Sequence, residues 1–488
     1  MKKKPNIVLI MTDEMRGDCM GVAGHPDVKT PYLDTLANNG ILYENAYSAC
    51  PSCVPARANL LTGLSQKHTG RVGYQDGVDW NYPSTLAGEL SKNGYYTQAV
   101  GKMHVYPSRN YLGFHHVELH NGYFHHNRKP TTPYSESQFV VDDYLHWLRE
   151  QKGVSCDITD TGLDCNSWVA RPWIYEEKYH PSNWATDRAI DFLRRRDPRQ
   201  PFFLMLSYVR PHAPYDAPQH YFDLYKDKEL AAPVKGDWNN TEDLKKQGRT
   251  FNNNTGPLDP ELIRQQQVGY YACITHVDHQ IGRFLLAMIE QDLYDDTVFI
   301  FTSDHGEMLS DHCLCRKSRA YQGSIHIPMI VSGKEEYIGK KKKGSVSDSL
   351  VELRDIMPTF LRVTKSKTDA TLDGLDMTSE EIKKRTYIHG EHTAGAYSSH
   401  FIVTKTDKFV WYSQTGIERY FDLENDENET HNAIGDEKHQ ERIRCLRNIL
   451  IGELEGREEG FVENAELVVG KDISPVLQSV LDCFKNEE

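Results

Sequence analysis

The 488-residue sequence has no excess of basic residues, no long apolar run and no internal repeat. It contains 56 Lys and Arg residues and 70 Asp and Glu residues, which gives a net charge of −14 at pH 7. This balance argues against the basic footprint that nucleic-acid binding requires. The longest apolar runs, at residues 7–11 and 202–206, are far shorter than the ~18 residues of a membrane-spanning helix. We therefore expect a protein that binds neither nucleic acid nor membrane.

The chain also lacks a disulfide pattern and a recognisable export signal. Its ten cysteines are scattered, and the N-terminal Met-Lys-Lys-Lys leads into only five apolar residues before Thr12-Asp13-Glu14. A secretory signal needs about 7–15 apolar residues, so this run is interpreted as a buried strand. The prediction is a chain with reduced thiols in a cytoplasm, for which a bacterial cytoplasm fits best.

Hydrophobic residues make up 39% of the chain, as in a folded globular protein. Four strand-like apolar runs, at residues 6–12, 96–100, 202–209 and 297–303, alternate with helix-like segments such as residues 32–39, 184–196 and 265–291. Each run is followed by residues that can do chemistry: Asp13 and Glu14, Lys102 and His104, His212, and Asp304 and His305. In a mostly parallel sheet these strand ends lie at one edge, where such folds bind ligands.

The pattern changes in the last quarter of the chain. Four short runs near residues 387, 400, 410 and 420 are split by turns, which predicts a small antiparallel sheet, and helical periodicity returns at residues 439–454. We predict a catalytic domain at residues 1–374 and a C-terminal subdomain at residues 375–488. Residues 105–180, rich in His, Tyr and Trp, are interpreted as an insertion near the active edge whose histidines are solvated or line the substrate site.

The stretch around Cys50-Pro-Ser-Cys53 has the C-x-x-C spacing of redox and zinc sites. A thioredoxin-like domain would be far shorter than this chain, and a zinc site would need a second cysteine pair, for which only Cys313-x-Cys315 is available. From Cys53 onward the stretch reads Cys-Val-Pro-Ala-Arg, with Leu-Thr-Gly at residues 61–63. Pro55 suits the first turn of a helix, which places Cys53 near the helix N-terminus and Arg57 on the same helix face.

This stretch resembles the C-x-P-S/A-R-x-x-x-L-T-G signature of the type I sulfatases, a family of the alkaline phosphatase superfamily. In that family the cysteine is oxidised after translation to formylglycine. The segment at residues 420–432 also resembles a stretch of sulfatase C-terminal subdomains, so the resemblance runs from about residue 5 to 435. It implies an alkaline-phosphatase-like α/β fold, with a large mixed sheet sandwiched by helices and a smaller domain carrying a four-stranded antiparallel sheet and a helix.

The resemblance also implies a site for a divalent cation, which is most often calcium in this family. Asp13 and Asp304 match its carboxylate ligands, with the residue made from Cys53 beside them. His305 stands where many sulfatases have Asn, and Glu14 stands where most have a second Asp. Because of these two departures, manganese or magnesium would also suit the ligand set Asp13, Glu14, Cys53, Asp304 and His305.

The sulfate-binding residues are assigned by the same resemblance. Lys102 and His104 match G-K-x-H, in which the lysine holds a sulfate oxygen and the histidine bonds the hydrated aldehyde. Lys317 matches the second sulfate-binding lysine, with Arg316 as its competitor. His212 occupies the position of the histidine that faces the leaving-group oxygen. Arg57 is expected to brace the nucleophile or the metal and to help neutralise the sulfuryl oxygens.

The implied function is hydrolysis of a sulfate monoester on a small sulfated carbohydrate or, alternatively, an aryl sulfate. The hydrated aldehyde attacks sulfur, His212 protonates the leaving alcohol and His104 removes a proton to release sulfate. A formylglycine-generating maturation enzyme is the implied partner. Three alternatives stay open: a phosphonate or phosphate monoester hydrolase of the same superfamily, a non-catalytic sulfoglycan-binding protein, and a thiol redox protein.

Overall fold

Eight strands form one mixed sheet at the centre of the computed structural model, which describes residues 4–239, 251, 253–339 and 343–485. The strands follow one another across the sheet in the order β4-β3-β5-β1-β6-β7-β2-β8. Their bounds are β1 Asn6–Asp13, β2 Gly40–Tyr47, β3 Tyr96–Gly101, β4 His116–Leu119, β5 Phe202–Pro211, β6 Thr297–Ser303, β7 Met329–Ser332 and β8 Ser345–Glu352.

The central strands are parallel and buried on both faces. β1 pairs in parallel with β5 on one side and with β6 on the other, whereas β7 runs antiparallel to both of its neighbours. Every residue of β1, β5 and β6 is buried, because helices cover both sides of the sheet. The four strands predicted from apolar runs are confirmed as β1, β3, β5 and β6.

Helices pack on both faces of the sheet and create two separate apolar cores. The helices Pro31–Asn38, Pro181–Arg195 and Pro260–Glu290 cover one face. The helices Cys53–Thr62, Leu86–Lys92 and Ile356–Thr364 cover the other face. The remaining α-helices are Gln66–Thr69, Gln138–Val141, Asp143–Lys152, Gln219–Asp223, Gln322–Ile325, Glu335–Ile338, Gln440–Leu454 and Gln478–Lys485. The predicted alkaline-phosphatase-like layering is confirmed.

Short 3₁₀ turns and one small hairpin complete the regular structure of the described residues. The turns are His126–Arg128, Tyr134–Glu136, Ile158–Thr161, Glu177–Tyr179, Asp311–Cys313, Leu353–Asp355, Glu380–Lys384, Ala433–Gly435 and Glu437–His439. The hairpin joins Val462–Glu463 to Glu466–Leu467. None of the helices in the described residues is both long and apolar enough to cross a bilayer.

The predicted small sheet is confirmed as four antiparallel strands, β9 Ile388–His392, β10 Ser399–Val403, β11 Asp407–Tyr412 and β12 Glu418–Asp422. One face, with Phe401 and Val410, packs on the large sheet's side of the molecule against Tyr47 and Tyr321. The opposite face packs on the helix Gln440–Leu454. The domain boundary at residues 374/375 stays a prediction.

A buried ion pair joins the two sides of that predicted boundary. Arg385 places its guanidinium against both carboxylate oxygens of Asp355, and the side chains are 7% and 0% exposed. Asp355 also accepts hydrogen bonds from the backbone amides of Glu352 and Leu375. The pair therefore ties the segment that precedes β9 to the segment that follows β8.

Replacing Arg385 should destabilise the protein because it leaves the Asp355 carboxylate buried without its counter-charge. We expect Arg385→Ala to lower the free energy of unfolding by about 3–5 kcal/mol, measured by urea denaturation. Lys383→Ala is the matched control, since Lys383 forms an exposed ion pair with Glu380 and its loss should change stability little. Equal midpoints for the two variants would contradict this account.

Candidate active site

The carboxyl ends of four neighbouring strands, in the order β3, β5, β1 and β6, bring the predicted side chains to one edge of the sheet. Asp13 is the last residue of β1 and Glu14 follows it, and His212 comes directly after β5. The residues that come just after β3 and β6 are Lys102 and His104, and Asp304 and His305. Because parallel strands end at the same edge, the site follows directly from the topology.

Cys53 is the first residue of the helix Cys53–Thr62, as the position of Pro55 predicts. Ser52 precedes it in an extended conformation, and Gly63 ends the helix with a left-handed φ of 70°. The helix is buried on every side, so its first turn reaches into the interior at the strand edge. Free backbone N–H groups at a helix start favour an anion there.

The Cys53 sulfur lies at the centre of the predicted groups. Its Sγ is 3.3 Å from His305 Nε2 and 3.3 Å from Lys317 Nζ. It is 3.6 Å from Lys102 Nζ and 3.7 Å from Asp13 Oδ1. Lys102 Nζ also contacts Asp13 Oδ2. Two lysines, a histidine and a carboxylate therefore surround one buried thiol.

The charges around Cys53 outweigh the effect of its burial. Burial by itself would raise the pKa of the Cys53 thiol, but Lys102, Lys317 and His305 hold that pKa well below its ordinary value. Conversely, burial lowers the pKa of His305, but Asp304 and Cys53 together outweigh it and raise that pKa to about 9. The site favours negative charge at the position of the sulfur.

Asp13, Cys53, Asp304 and His305 form a group that can hold a metal ion. One ligand atom from each lies within 4.8 Å of those of the other three, and all four residues are buried. His305 Nε2 is 3.5 Å from Asp13 Oδ1 and 3.6 Å from Asp304 Oδ1. Two carboxylates, an imidazole and the residue at position 53 are a donor set that fits a divalent cation.

Glu14 lies outside this group, although the sequence placed it among the ligands. Its Oε2 is 3.3 Å from His212 Nε2 and 3.6 Å from Lys317 Nζ. Its Oε1 is buried without a hydrogen-bond partner among the described residues. Burial raises the pKa of the Glu14 carboxyl to about 8. The positive φ of 70° at Glu14 accompanies this departure of its side chain from the group.

Arg57 lies beneath the site and braces it. Its Nε donates to Asp304 Oδ2 at 2.9 Å, and its Nη1 donates to the carbonyl of Lys102 at 2.7 Å and to Ser207 Oγ at 3.1 Å. Arg57 is not among the residues that line the cavity described next. The guanidinium thus orients Asp304 and the end of β3.

A cavity of about 250 Å³ opens above the sulfur. Of the residues predicted for chemistry, it is lined by Cys53, Lys102, His104, His212 and Lys317, together with Arg316, the competitor of Lys317. Its other walls include Tyr74, Val209 and Pro214, and the segment at residues 105–180 contributes Tyr123, Phe124, Ile158, Cys165 and Asn166. His326 lies outside this lining and contacts the carbonyl of Glu44.

Three residues that sequence reasoning missed hold His104 in place. Asn121 Oδ1 accepts from the backbone amides of Met103 and His104, both at 3.0 Å. Asp76 Oδ1 lies 3.3 Å from His104 Nε2, and the Tyr74 hydroxyl donates to the other oxygen of Asp76. No spacing rule links these residues to Gly101-Lys-Met-His, so the sequence carries no signal for them.

Cys50 has a different environment from Cys53, although both are free thiols. Burial and the nearby Glu391 raise the pKa of Cys50 well above its ordinary value. In the part of the chain that the structure describes, no group that could hold a metal contains Cys50, Cys313 or Cys315. The zinc interpretation of the C-x-x-C spacing therefore has no support here.

The sequence matches the Sulfatase family model over residues 5–366. It is 52% identical over 475 residues to an arylsulfatase of Clostridium perfringens (strain 13 / Type A), which covers 96% of this chain and 98% of that protein. It is also 30% identical over 390 residues to an ulvan-active sulfatase of Formosa agariphila, which covers 78% of this chain and 65% of that protein.

Two solved structures have the same fold. A phosphonate monoester hydrolase of Agrobacterium radiobacter has a TM-score of 0.74 at 22% identity, covering 92% of this chain and 95% of that one. A putative sulfatase of Bacteroides fragilis has a TM-score of 0.68 at 24% identity, covering 93% and 97%. From the family match and the 52% identity, the chain belongs to the sulfatase family, whose members are hydrolases of sulfate esters.

Proposed function

We propose that this sulfatase hydrolyses a small sulfate monoester with a formylglycine made from Cys53 and a divalent cation. The observation that carries the proposal is the position of Cys53. Its sulfur lies at the base of an open cavity, 3.3–3.7 Å from Lys317, His305, Lys102 and Asp13. A nucleophile at this point faces a substrate while two lysines neutralise the charge of the sulfate.

The modified residue and the cation supply the chemistry that ordinary side chains lack. Formylglycine hydrates to give the attacking hydroxyl, and a divalent cation acts as a Lewis acid on that group and on the sulfate. Asp13, Asp304, His305 and residue 53 would hold the cation. The carboxylate oxygens of Asp13 and Asp304 suit calcium, which we propose, and manganese and magnesium are the alternatives.

The two lysines bind the sulfate in this proposal. Lys102 and Lys317 both line the cavity beside Cys53, so their ammonium groups reach sulfuryl oxygens held above residue 53. Fixed positive charge placed where negative charge develops is the largest single contribution to many enzymatic rate enhancements. Because Lys102 contacts Asp13 and Lys317 faces Glu14, both ammonium groups are held in place by buried carboxylates.

His212 and His104 are the proton donor and the proton acceptor in this proposal. His212 Nδ1 lies 2.8 Å from the carbonyl of Ala213. This contact fixes the ring, and Nε2 on its other side faces Glu14 Oε2. We assign to His212 the proton that the leaving alcohol needs and to His104 the proton removed when sulfate is released. Arg57 and Asn121 are positioning residues, since they orient Asp304 and His104.

The cavity walls favour a ring next to the sulfate. Tyr74, Tyr123 and Phe124 line it, and aromatic side chains pack well on sugar or aryl rings. A sulfated carbohydrate or an aryl sulfate is therefore the proposed substrate. The C. perfringens relative is an arylsulfatase, which supports the aryl class.

The proposal also includes a cellular compartment and a maturation partner. The ten free thiols support a reducing compartment such as a bacterial cytoplasm. A formylglycine-generating enzyme is the required partner, because Cβ of Cys53 becomes an aldehyde, with loss of the sulfur, only when an enzyme brings an oxidant to it.

Cys53→Ala should abolish turnover of nitrophenyl sulfate, whereas Cys50→Ala should keep most of it, because only Cys53 faces the cavity. The measurement is initial rate together with intact mass, which distinguishes formylglycine from cysteine at position 53. Cys53→Ser should be inactive too, since a serine hydroxyl cannot form a hydrated aldehyde.

The same assay separates the alternatives. Equal losses in Cys50→Ala and Cys53→Ala would favour a thiol redox protein, and an unmodified Cys53 in a chain that still binds sulfated glycans would favour a binding protein. Faster hydrolysis of the phosphate ester than of the sulfate ester of one alcohol would favour the phosphate-hydrolase alternative.

Asp304→Asn should weaken binding of Ca²⁺ to the metal-free protein by at least ~10-fold, because even groups outside the ligand set often change metal affinity by that factor. Isothermal titration with Ca²⁺, Mn²⁺ and Mg²⁺ measures the affinity and ranks the ions. Asp348→Asn, at an exposed aspartate, is the control and should bind as the parent does. Unchanged affinity in Asp304→Asn would place the cation elsewhere.

His212→Ala should damage hydrolysis of a sugar sulfate far more than that of nitrophenyl sulfate, because a sugar alkoxide needs a proton to leave and nitrophenolate does not. The expected differential in kcat/KM is ~10²–10⁴, the range that general acid catalysis supplies. Lys317→Ala is the comparison and should slow both substrates similarly. A uniform loss in His212→Ala would make His212 a sulfate-binding residue.

A further inference from the structure

A second group of ionisable side chains lies in the C-terminal sheet, buried in an apolar core. His389 and Glu391 are two residues apart on β9 and share a face, and His400 on β10 pairs with Glu391 in register. The three residues are 7%, 1% and 3% exposed. Their face of the sheet packs on the helix Gln440–Leu454, with Trp411 and Phe461 against His400.

Two of the ring nitrogens in this group make no hydrogen bond with the described residues. His389 Nε2 and His400 Nδ1 are buried and lack a hydrogen-bond partner among the described residues. Buried polar atoms without partners are destabilising and rare in folded proteins, so each needs an explanation. Each of the two nitrogens therefore lacks a partner that the described residues supply.

A ring nitrogen of each histidine and a carboxylate oxygen of Glu391 lie close together. One ligand atom from each of His389, Glu391 and His400 lies within 4.8 Å of the other two. His400 Nδ1 is 3.6 Å from Glu391 Oε2, and the two imidazole rings are stacked with centroids 5.8 Å apart and planes 9° apart. A tetrahedral zinc ion with ligands at about 2.0–2.2 Å separates its donors by roughly 3.4 Å, close to this spacing.

The charge around the group is compatible with a cation. Glu391 accepts two hydrogen bonds, both from Arg457 Nη1, at 2.7 and 2.8 Å, which leaves lone pairs of the carboxylate free. Arg457 also pairs with Glu459. Glu453 lies 3.9 Å from His389 Nδ1 and pairs with Lys67. The carboxylates of Glu391, Glu453 and Glu459 carry three negative charges, and Arg457 and Lys67 carry two positive charges. These groups together leave one net negative charge before any ion binds.

The group is separate from the candidate active site and has its own approach from solvent. A cavity of about 480 Å³ is lined by His389 and Glu453, together with Gln66, His68 and Tyr387. It shares no lining residue with the cavity above Cys53. An ion can thus approach the His389 ring without passing through the substrate site.

We propose that His389, Glu391 and His400 bind a transition-metal ion, and that this ion is Zn²⁺. Two imidazoles and one carboxylate are an established zinc ligand set, and neutral nitrogen donors disfavour Ca²⁺ and Mg²⁺. A fourth ligand can come from water in the adjoining cavity. The ion joins β9 to β10 beneath the helix Gln440–Leu454, and its role is to stabilise the C-terminal sheet.

The test measures Zn²⁺ bound by the full chain with the candidate active-site group disabled. Metal-free Asp304→Asn protein is dialysed against ZnCl₂ and its zinc content is measured by mass spectrometry, with thermal unfolding followed in parallel. We expect about one Zn²⁺ per chain and a higher midpoint with zinc, because an ion that binds only the folded state stabilises it.

Adding His400→Gln to this background should weaken zinc binding at least ~10-fold and remove the zinc-dependent rise in midpoint. His389→Gln, at the cavity wall, is the second variant in case His400→Gln does not fold. His68→Gln is the matched control, since His68 lines the same cavity outside the group, and it should bind as the parent does. Absence of zinc from the Asp304→Asn chain, or equal zinc binding in the folded His389 and His400 variants, would overturn the proposal.

Discussion

The mutual compensation of buried charges around Cys53 is the constraint on which the rest of this structure depends. Asp13 and Asp304 are buried within a few ångströms of Lys102 and Arg57, and Lys317 Nζ lies 3.3 Å from the Cys53 sulfur. A buried charge without its partner is strongly destabilising, so none of these residues can move independently. The strands β1, β3 and β6 and the helix Cys53–Thr62 must therefore end or begin in register with one another.

This compensation also explains why the residue that orients the site, Arg57, lies beneath the cavity and does not line it. Arg57 reaches Asp304, the Lys102 carbonyl and Ser207 from the helix, so a single guanidinium ties the residues that follow β3 and β6, and one residue within β5, to the helix Cys53–Thr62. The rigid part of the site lies on regular structure, whereas the segment at residues 105–180 supplies part of the cavity wall. Such a division suits a family in which the reaction is constant and the substrate differs.

Much of the fold could be predicted from sequence because its central strands are buried on both faces. β1, β5 and β6 are continuous apolar runs, and the residues that follow them identify the active edge. β2, β4, β7 and β8 are not predicted. β8 reads Ser-Val-Ser-Asp-Ser-Leu-Val-Glu and is partly exposed at the edge of the sheet, so its composition resembles a loop. β7 has only four residues and runs against its neighbours, which no local pattern encodes.

In the active site, too, some features follow from local sequence patterns and others depend on the folded chain. The sequence could place four site residues together because each one either follows a predicted strand or belongs to a recognised motif. These residues are Cys53, Lys102, Asp304 and Lys317. The turn of Glu14 toward His212 depends on a backbone φ that sequence spacing does not carry, and the support of His104 by Asn121 and Asp76 depends on loops that approach only in the folded chain. The free nitrogens of His389 and His400 likewise emerge only when β9 and β10 pair.

The edge of β9 has a consequence for the order of events during synthesis. Its Glu391 amide bonds the carbonyl of Ala49, and the Thr393 amide that follows bonds the carbonyl of Val72, so residues on both sides of the helix Cys53–Thr62 are anchored by a strand more than 300 residues later. Cys53 itself is only 2% exposed in the finished molecule. An enzyme that converts Cys53 as proposed would therefore act before β9 bonds to the segments on either side of the helix Cys53–Thr62.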